Sequence, residues 1–260
     1  MDHTGNTPFS ETVLAPQRLP VEIPGVSLWQ ATLAQPDAVI AQWHAWLTPE
    51  EKQRAERMAR PSLRHRAVAV RALLRGILAR ELAQGLTISP ESLRFQTGAH
   101  GRPYLAAAFA DGAVRDFNLS HSGDSLLVGI LHHTAAPSWQ CLGVDLESLQ
   151  RSRDTTRLAH RVLSAREQDT LERLNHEERQ RRFLHYWVLK EAFSKAVGAG
   201  FSLGFEAMDF DIDATPAPRA RALPEPYCPD DWTLRLLPVA APFVAALALG
   251  NRESEPIPGS

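Results

Sequence analysis

Two capping boxes, 116 residues apart, constrain this chain more than any other feature. Thr48-Pro49-Glu50-Glu51 and Ser164-Ala165-Arg166-Glu167 each set a hydroxyl three positions before a glutamate, so that side chain and backbone satisfy each other's free groups at a helix start. After each box the pattern predicts a short helix and then a long amphipathic one, from Pro61 toward Gly85 and from Glu178 to Val197. The same shift sets Met58 on Leu174, Arg66 on Arg182, Val68 on Leu184, Leu73 on Leu189 and Ile77 on Phe193. It also sets the apolar run Ser125 to Leu131 on Ala241 to Leu247. Amphipathic helices match one another easily, so the repeat is a weak one. Read as a repeat, it predicts an α+β chain of two similar halves meeting at a pseudo-two-fold interface, a favoured place for a site. We draw the halves as residues 1–122 and 123–260.

With 260 residues, each half is long enough to bury a core without staples. Its two cysteines, Cys141 and Cys228, give neither a disulfide framework nor metal-ligand spacing, which fits a reducing compartment. The start of the chain lacks a basic region followed by an apolar core, and its first 25 residues, rich in proline, read as an irregular lead-in. Leu236 to Leu249 is too short to span a bilayer and holds Pro238 and Pro242. The expectation is a cytoplasmic protein with no membrane contact.

Gly143-Val144-Asp145-Leu146-Glu147 reads as a strand or its end. Alternation puts Asp145 and Glu147 on one face and the apolar residues on the other. Neighbouring carboxylates repel, and a hard cation such as Mg²⁺ relieves that; the other reading is a solvated acidic loop. Within the second long helix, Trp187, Glu191 and Lys195 share a stripe, and Glu191 is a candidate third carboxylate. Phe117-Asn118-Leu119-Ser120-His121-Ser122-Gly123 offers hydroxyls and an imidazole to a phosphate, or else a polar turn between strands. Gly101-Arg102-Pro103 adds a cation on a stiff turn.

Between Arg54 and Arg80 stand eight arginines and one acid, Glu56. Such a run is either a solvated helix face or an anion site; without interleaved aromatics, nucleic acid is the weaker partner. Only three lysines occur, Lys52, Lys190 and Lys195, against 25 arginines. Two of them fall in one helical motif, where a compact donor with a tunable pKa would serve phosphoryl transfer. His132, His133 and His185 lack zinc spacing, and there is no Walker or dinucleotide glycine fingerprint.

In order, Gly101-Arg102-Pro103, Phe117 to Gly123, Gly143 to Glu147, Trp187 to Lys195 and the Gly198-Ala199-Gly200-Phe201 turn resemble the surfactin-type 4′-phosphopantetheinyl transferases. The resemblance is strong from Leu47 to Phe201. It implies a monomer with coenzyme A as co-substrate and Mg²⁺ in the cleft between two similar halves. It also implies transfer of phosphopantetheine to a serine of an apo acyl, peptidyl or aryl carrier protein, with release of adenosine 3′,5′-bisphosphate. By motif position, Asp145, Glu147 and Glu191 would hold the metal. Arg66, Arg102, Ser120, His121 and Lys195 would bind coenzyme A. Glu147, Glu191 and Lys195 would carry the proton and leaving-group chemistry. Arg102 stands where the family often has Lys. The rival readings are a Mg²⁺-dependent phosphatase or phosphodiesterase and a non-enzymatic anion-binding protein.

Overall fold

The computed structural model describes residues 14–83, 87–98, 101–106, 113–133, 139–150 and 155–251. The lead-in up to residue 13, and Gly85 as the stop of the first long helix, lie outside them.

The first half contains β1 (Gln17–Leu19), β2 (Val26–Thr32), α1 (Asp37–His44), α2 (Pro49–Glu56), α3 (Pro61–Leu82), β3 (Phe95–Thr97), β4 (Pro103–Leu105), β5 (Val114–Ser122) and β6 (Ser125–His132). The second contains β7 (Cys141–Ser148), α4 (Thr155–Val162), α5 (Ala165–Glu172), α6 (His176–Val197), β8 (Asp209–Asp211), β9 (Arg219–Ala222), β10 (Trp232–Leu237) and β11 (Phe243–Gly250). Once β1 is set aside the order of elements repeats, and so does the strand order: β2-β6-β5 in one sheet and β7-β11-β10 in the other. Because β6 pairs with both β2 and β5, a division at 122/123 would cut an antiparallel hairpin. Sheet membership puts it between His132 and Cys141 instead.

Both capping boxes form. Thr48 and Glu51 exchange bonds of 3.0 and 3.3 Å at the start of α2, and Ser164 and Glu167 bonds of 2.9 and 3.2 Å at the start of α5. Each box glutamate then reaches a fully buried cation in the middle of the long helix. Glu51 meets Arg75 at 2.8 Å, and Glu167 meets Lys190 at 2.7 Å. Each cation spends its remaining donors on two carbonyls around a 3₁₀ turn: Arg75 on Pro90 and Leu93, Lys190 on Phe205 and Met208. The two buried cations, like the two helix starts Pro61 and His176, correspond at a shift one residue smaller than that of the capping boxes. A residue is therefore absorbed between the short and long helices. Lys190 is accordingly a packing cation and not the phosphate donor its motif suggested, because a buried charge needs full hydrogen bonding and here has it.

Alternation divides the cores. On β6, Leu126, Val128 and Ile130 face α3, while Leu127 and Leu131 face the other sheet. On β11, Val244, Ala246 and Ala248 face α6, while Ala245, Leu247 and Leu249 join Leu142, Val144 and Leu146 of β7 in the central layer. The result is helix, sheet, sheet, helix, with an apolar seam between halves. Gly143 lets α6 settle against β7: a Cβ there would lie 2.0 Å from the Ala192 carbonyl oxygen and 2.5 Å from the Ala196 nitrogen. Backbone cannot swing aside as a side chain can. Gly143→Ala is expected to cost about 3 kcal/mol, read as a lower urea midpoint with an unchanged m value.

Candidate active site

The Phe117 to Gly123 run, a candidate polar turn, is strand for most of its length. Strand β5 remains extended through Ser122, and Gly123, with φ of 56°, makes the turn. The alternate residues Asp116, Asn118, Ser120 and Ser122 are polar and buried, and all reach β7. Asp116 and Asn118 accept from the Leu142 and Val144 amides at 2.8 and 3.1 Å. Ser120 donates to Asp145 Oδ1 at 2.8 Å, and Ser122 to Glu147 Oε2 at 3.0 Å. These side chains take the place of a ladder strand along the edge of β7 and couple the halves through polar groups. Sequence reasoning assigns no site role to Asp116 or Asn118 and offers the Ser122 hydroxyl only to a phosphate, although the period of two is visible.

Asp145 and Glu147 share the face of β7 that Gly143 turns toward α6, as alternation predicts. Lys195, near the end of α6, brings its Nζ to 2.7 Å from Asp145 Oδ1 and 3.0 Å from Ser120 Oγ. The Lys195 side chain is 29% exposed whereas that of Asp145 is 5% exposed, so the cluster opens on the lysine side. Asp145 Oδ2 is buried without a hydrogen-bond partner. An unpartnered buried carboxylate oxygen is costly, and beside Glu147 it has the chemistry of a hard-cation ligand. As the side chains stand among the described residues, no three His, Cys, Asp or Glu converge as a metal site, Glu191 included.

His121 is exposed one residue beyond Ser120. Partial desolvation, then Arg66 and Lys195, hold its imidazole below the ordinary value, with Glu147 pulling the other way. Arg66 reaches from α3 to the turn after β5, donating to the Gly123 carbonyl at 2.6 Å and to Asp124 Oδ1 at 2.7 Å. Arg102 departs from its expected role. Its Nη1 donates to the Lys195 and Ala196 carbonyls, and its Nη2 to Asp116, Phe117 and Leu142. These bonds use its terminal donors internally, so it clamps β5, β7 and the end of α6 together rather than facing a phosphate. Cys141 is buried with its thiol pushed up to about 12, which leaves it inert.

A family model described as "4'-phosphopantetheinyl transferase superfamily" matches residues 141–248. A second, "4'-phosphopantetheinyl transferase, N-terminal", matches residues 28–131. The gap between them falls where the sheets divide. The chain is 33% identical over 226 residues to the 4'-phosphopantetheinyl transferase HetI of Nostoc sp., covering 87% of this chain and 88% of that protein. It is 26% identical over 163 residues to the 4'-phosphopantetheinyl transferase Sfp of Bacillus subtilis, covering 63% and 65%. A solved holo-(acyl-carrier-protein) synthase from Bacillus anthracis, in complex with CoA (3',5'-ADP), aligns at 21% identity and a TM-score of 0.37, over 43% of this chain and 96% of that one.

Proposed function

The chain belongs to the 4′-phosphopantetheinyl transferase superfamily, and on that premise we propose that it transfers phosphopantetheine from coenzyme A to a serine hydroxyl of an apo acyl, peptidyl or aryl carrier protein. Adenosine 3′,5′-bisphosphate leaves. The observation that carries this reading is the cluster on β7, where a half-open lysine and a buried carboxylate with one unpartnered oxygen adjoin two strand serines.

In the reaction the carrier serine oxygen bonds to the phosphorus bearing pantetheine, the pyrophosphate P–O bond breaks, and the serine proton passes to a carboxylate. Either Glu147 on β7 or Glu191 on α6 would accept it. Lys195 would leave Asp145 for the phosphate under attack and stabilise or protonate the departing oxygen. Ser120 and His121 would hold the coenzyme A phosphates, and Arg66 the phosphate at the adenosine end. Asp145, Glu147 and Glu191 would hold Mg²⁺, which when bound neutralises the charge gathering on the pyrophosphate. Phosphoryl transfer asks the protein mainly for position and charge, which these residues can supply. The test is the release of adenosine 3′,5′-bisphosphate. It should be stoichiometric with apo carrier and should stop when the carrier serine is replaced by alanine; release without carrier would overturn the reading.

His121 gives a pH signature. Held low, it is neutral in the free protein near pH 7, and a bound phosphate favours its imidazolium. Binding of adenosine 3′,5′-bisphosphate should therefore take up a proton and tighten as pH falls from about 8 to about 6. In His121→Asn most of that tightening should vanish. Calorimetry in buffers of different ionisation heat reads the uptake, and identical uptake in both proteins would refute the assignment.

A further inference from the structure

Two hydroxyls on β5 meet two carboxylates on β7 in one register. Ser120 reaches Asp145 at 2.8 Å and Ser122 reaches Glu147 at 3.0 Å, the partner standing 25 positions on in both pairs. All four side chains are buried. A serine hydroxyl has one proton and two lone pairs, so whatever donates to it decides where its own proton goes. Ser122 Oγ accepts from the Ser148 amide at 3.1 Å, and an amide nitrogen can only donate. The Ser122 proton is therefore committed to Glu147 Oε2. Ser120 Oγ accepts from the Lys195 ammonium at 3.0 Å, which commits its proton to Asp145 Oδ1 in the same way.

The two pairs differ in what holds the serine. The donor to Ser122 is backbone, at a residue of β7 paired with Phe243 of β11, and it moves only with the strand. The donor to Ser120 is a side chain 29% exposed, which in the proposed reaction leaves for the phosphate. Ser120 can then turn its hydroxyl to that phosphate. Ser122, at 2% exposure and with its single proton committed, stays on the carboxylate. Resting on the transferase reading above, in which Asp145 and Glu147 hold the divalent cation, we propose that Ser122 is a positioning residue for Glu147. It ties one carboxylate oxygen to the end of β7, so that the longer of the two acidic side chains is held beside Asp145 before any cation binds. Side-chain freedom removed in advance is not charged against binding, and partners that orient a metal-ligating carboxylate act in this way.

The test is direct binding of Mn²⁺ to the full chain with coenzyme A present, the free ion counted by electron paramagnetic resonance against coenzyme A alone. Ser122→Ala should weaken binding roughly ten-fold or more. The Mg²⁺ concentration for half-maximal transfer should rise in parallel, with the KM for apo carrier unchanged. Ser122→Thr keeps the hydroxyl and suits a strand, and should recover most of the affinity. Ser122→Cys, close in size but a weak donor, should fall between the two. Asn118→Ala is the control for a merely structural role. Asn118 Oδ1 accepts the Val144 amide at 3.1 Å, bridging the same two strands. Its loss should lower the urea midpoint and leave Mn²⁺ affinity unchanged. Wild-type Mn²⁺ affinity in Ser122→Ala, or equal losses in Ser122→Ala and Asn118→Ala, would overturn the positioning role while carrier modification by the wild type kept the transferase reading in place. Mn²⁺ affinity that depends on the Ser122 hydroxyl, in a chain that modifies no carrier, would overturn the transferase reading instead.

Discussion

Asp145→Asn should abolish transfer, lowering kcat by roughly a hundred-fold or more, while the unfolding free energy stays within about 1 kcal/mol of the parent. Activity and stability part here for a physical reason. Asp145 sits 4% exposed with Oδ1 held by Ser120 and Lys195 and with Oδ2 unpartnered, an arrangement that contributes little to folding. Lys195, at 29% exposure, can turn to water when the carboxylate is lost. The amide keeps the size and the serine bond but removes the charge that a cation or a released ammonium answers to. Turnover with Mg²⁺ and coenzyme A, beside a urea melt, measures both sides. Normal turnover would remove Asp145 from the site, and collapse of the fold would make its role structural.

Arg102→Met should do the reverse, costing about 3–5 kcal/mol of stability. The change leaves the Asp116 carboxylate buried without its cation and strips a donor from the Lys195, Ala196 and Leu142 carbonyls. Adding Asp116→Asn should recover part of the loss, because no uncompensated charge then remains, and the coupling appears in a double-mutant cycle at pH 7. If Arg102 instead held a phosphate, as its place in the sequence suggests, the single variant would melt normally and only its KM for coenzyme A would rise.

The architecture was legible where local chemistry decides it. Capping boxes announce their own helices, and alternation on β7 correctly separated Asp145 and Glu147 from Val144 and Leu146. Charge was the misleading signal. Arg102 and Lys190 sit in functional-looking motifs, yet a sequence does not show which carbonyls a cation will meet. Both turn inward, to carbonyls on segments 15 or more positions away. The Ser-His-Ser-Gly run looks like a turn because its residues favour turns; pairing with β6 through Ser122 keeps it extended. The pairing of Ser120 with Asp145 and Ser122 with Glu147 is hidden for the same reason, since β5 and β7 meet only in the assembled fold.

Among the described residues, the first half carries no counterpart of the Asp145–Lys195 pair. Arg80, which lies on α3 as Lys195 lies on α6, stacks over the Trp29 ring at 5.0 Å instead of meeting a carboxylate. Trp29 and Ala31 are the buried pair on the helix-facing side of β2, where β7 carries Asp145 and Glu147. At matching positions of one scaffold, the first half sets apolar side chains and the second sets carboxylates.

The intact mass of an apo carrier protein, taken after incubation with this chain, coenzyme A and Mg²⁺, is the decisive test of phosphopantetheine transfer. The carrier serine should gain one phosphopantetheine group, and no gain should appear with Asp145→Asn. An unmodified carrier, with inorganic phosphate released from coenzyme A, would contradict it.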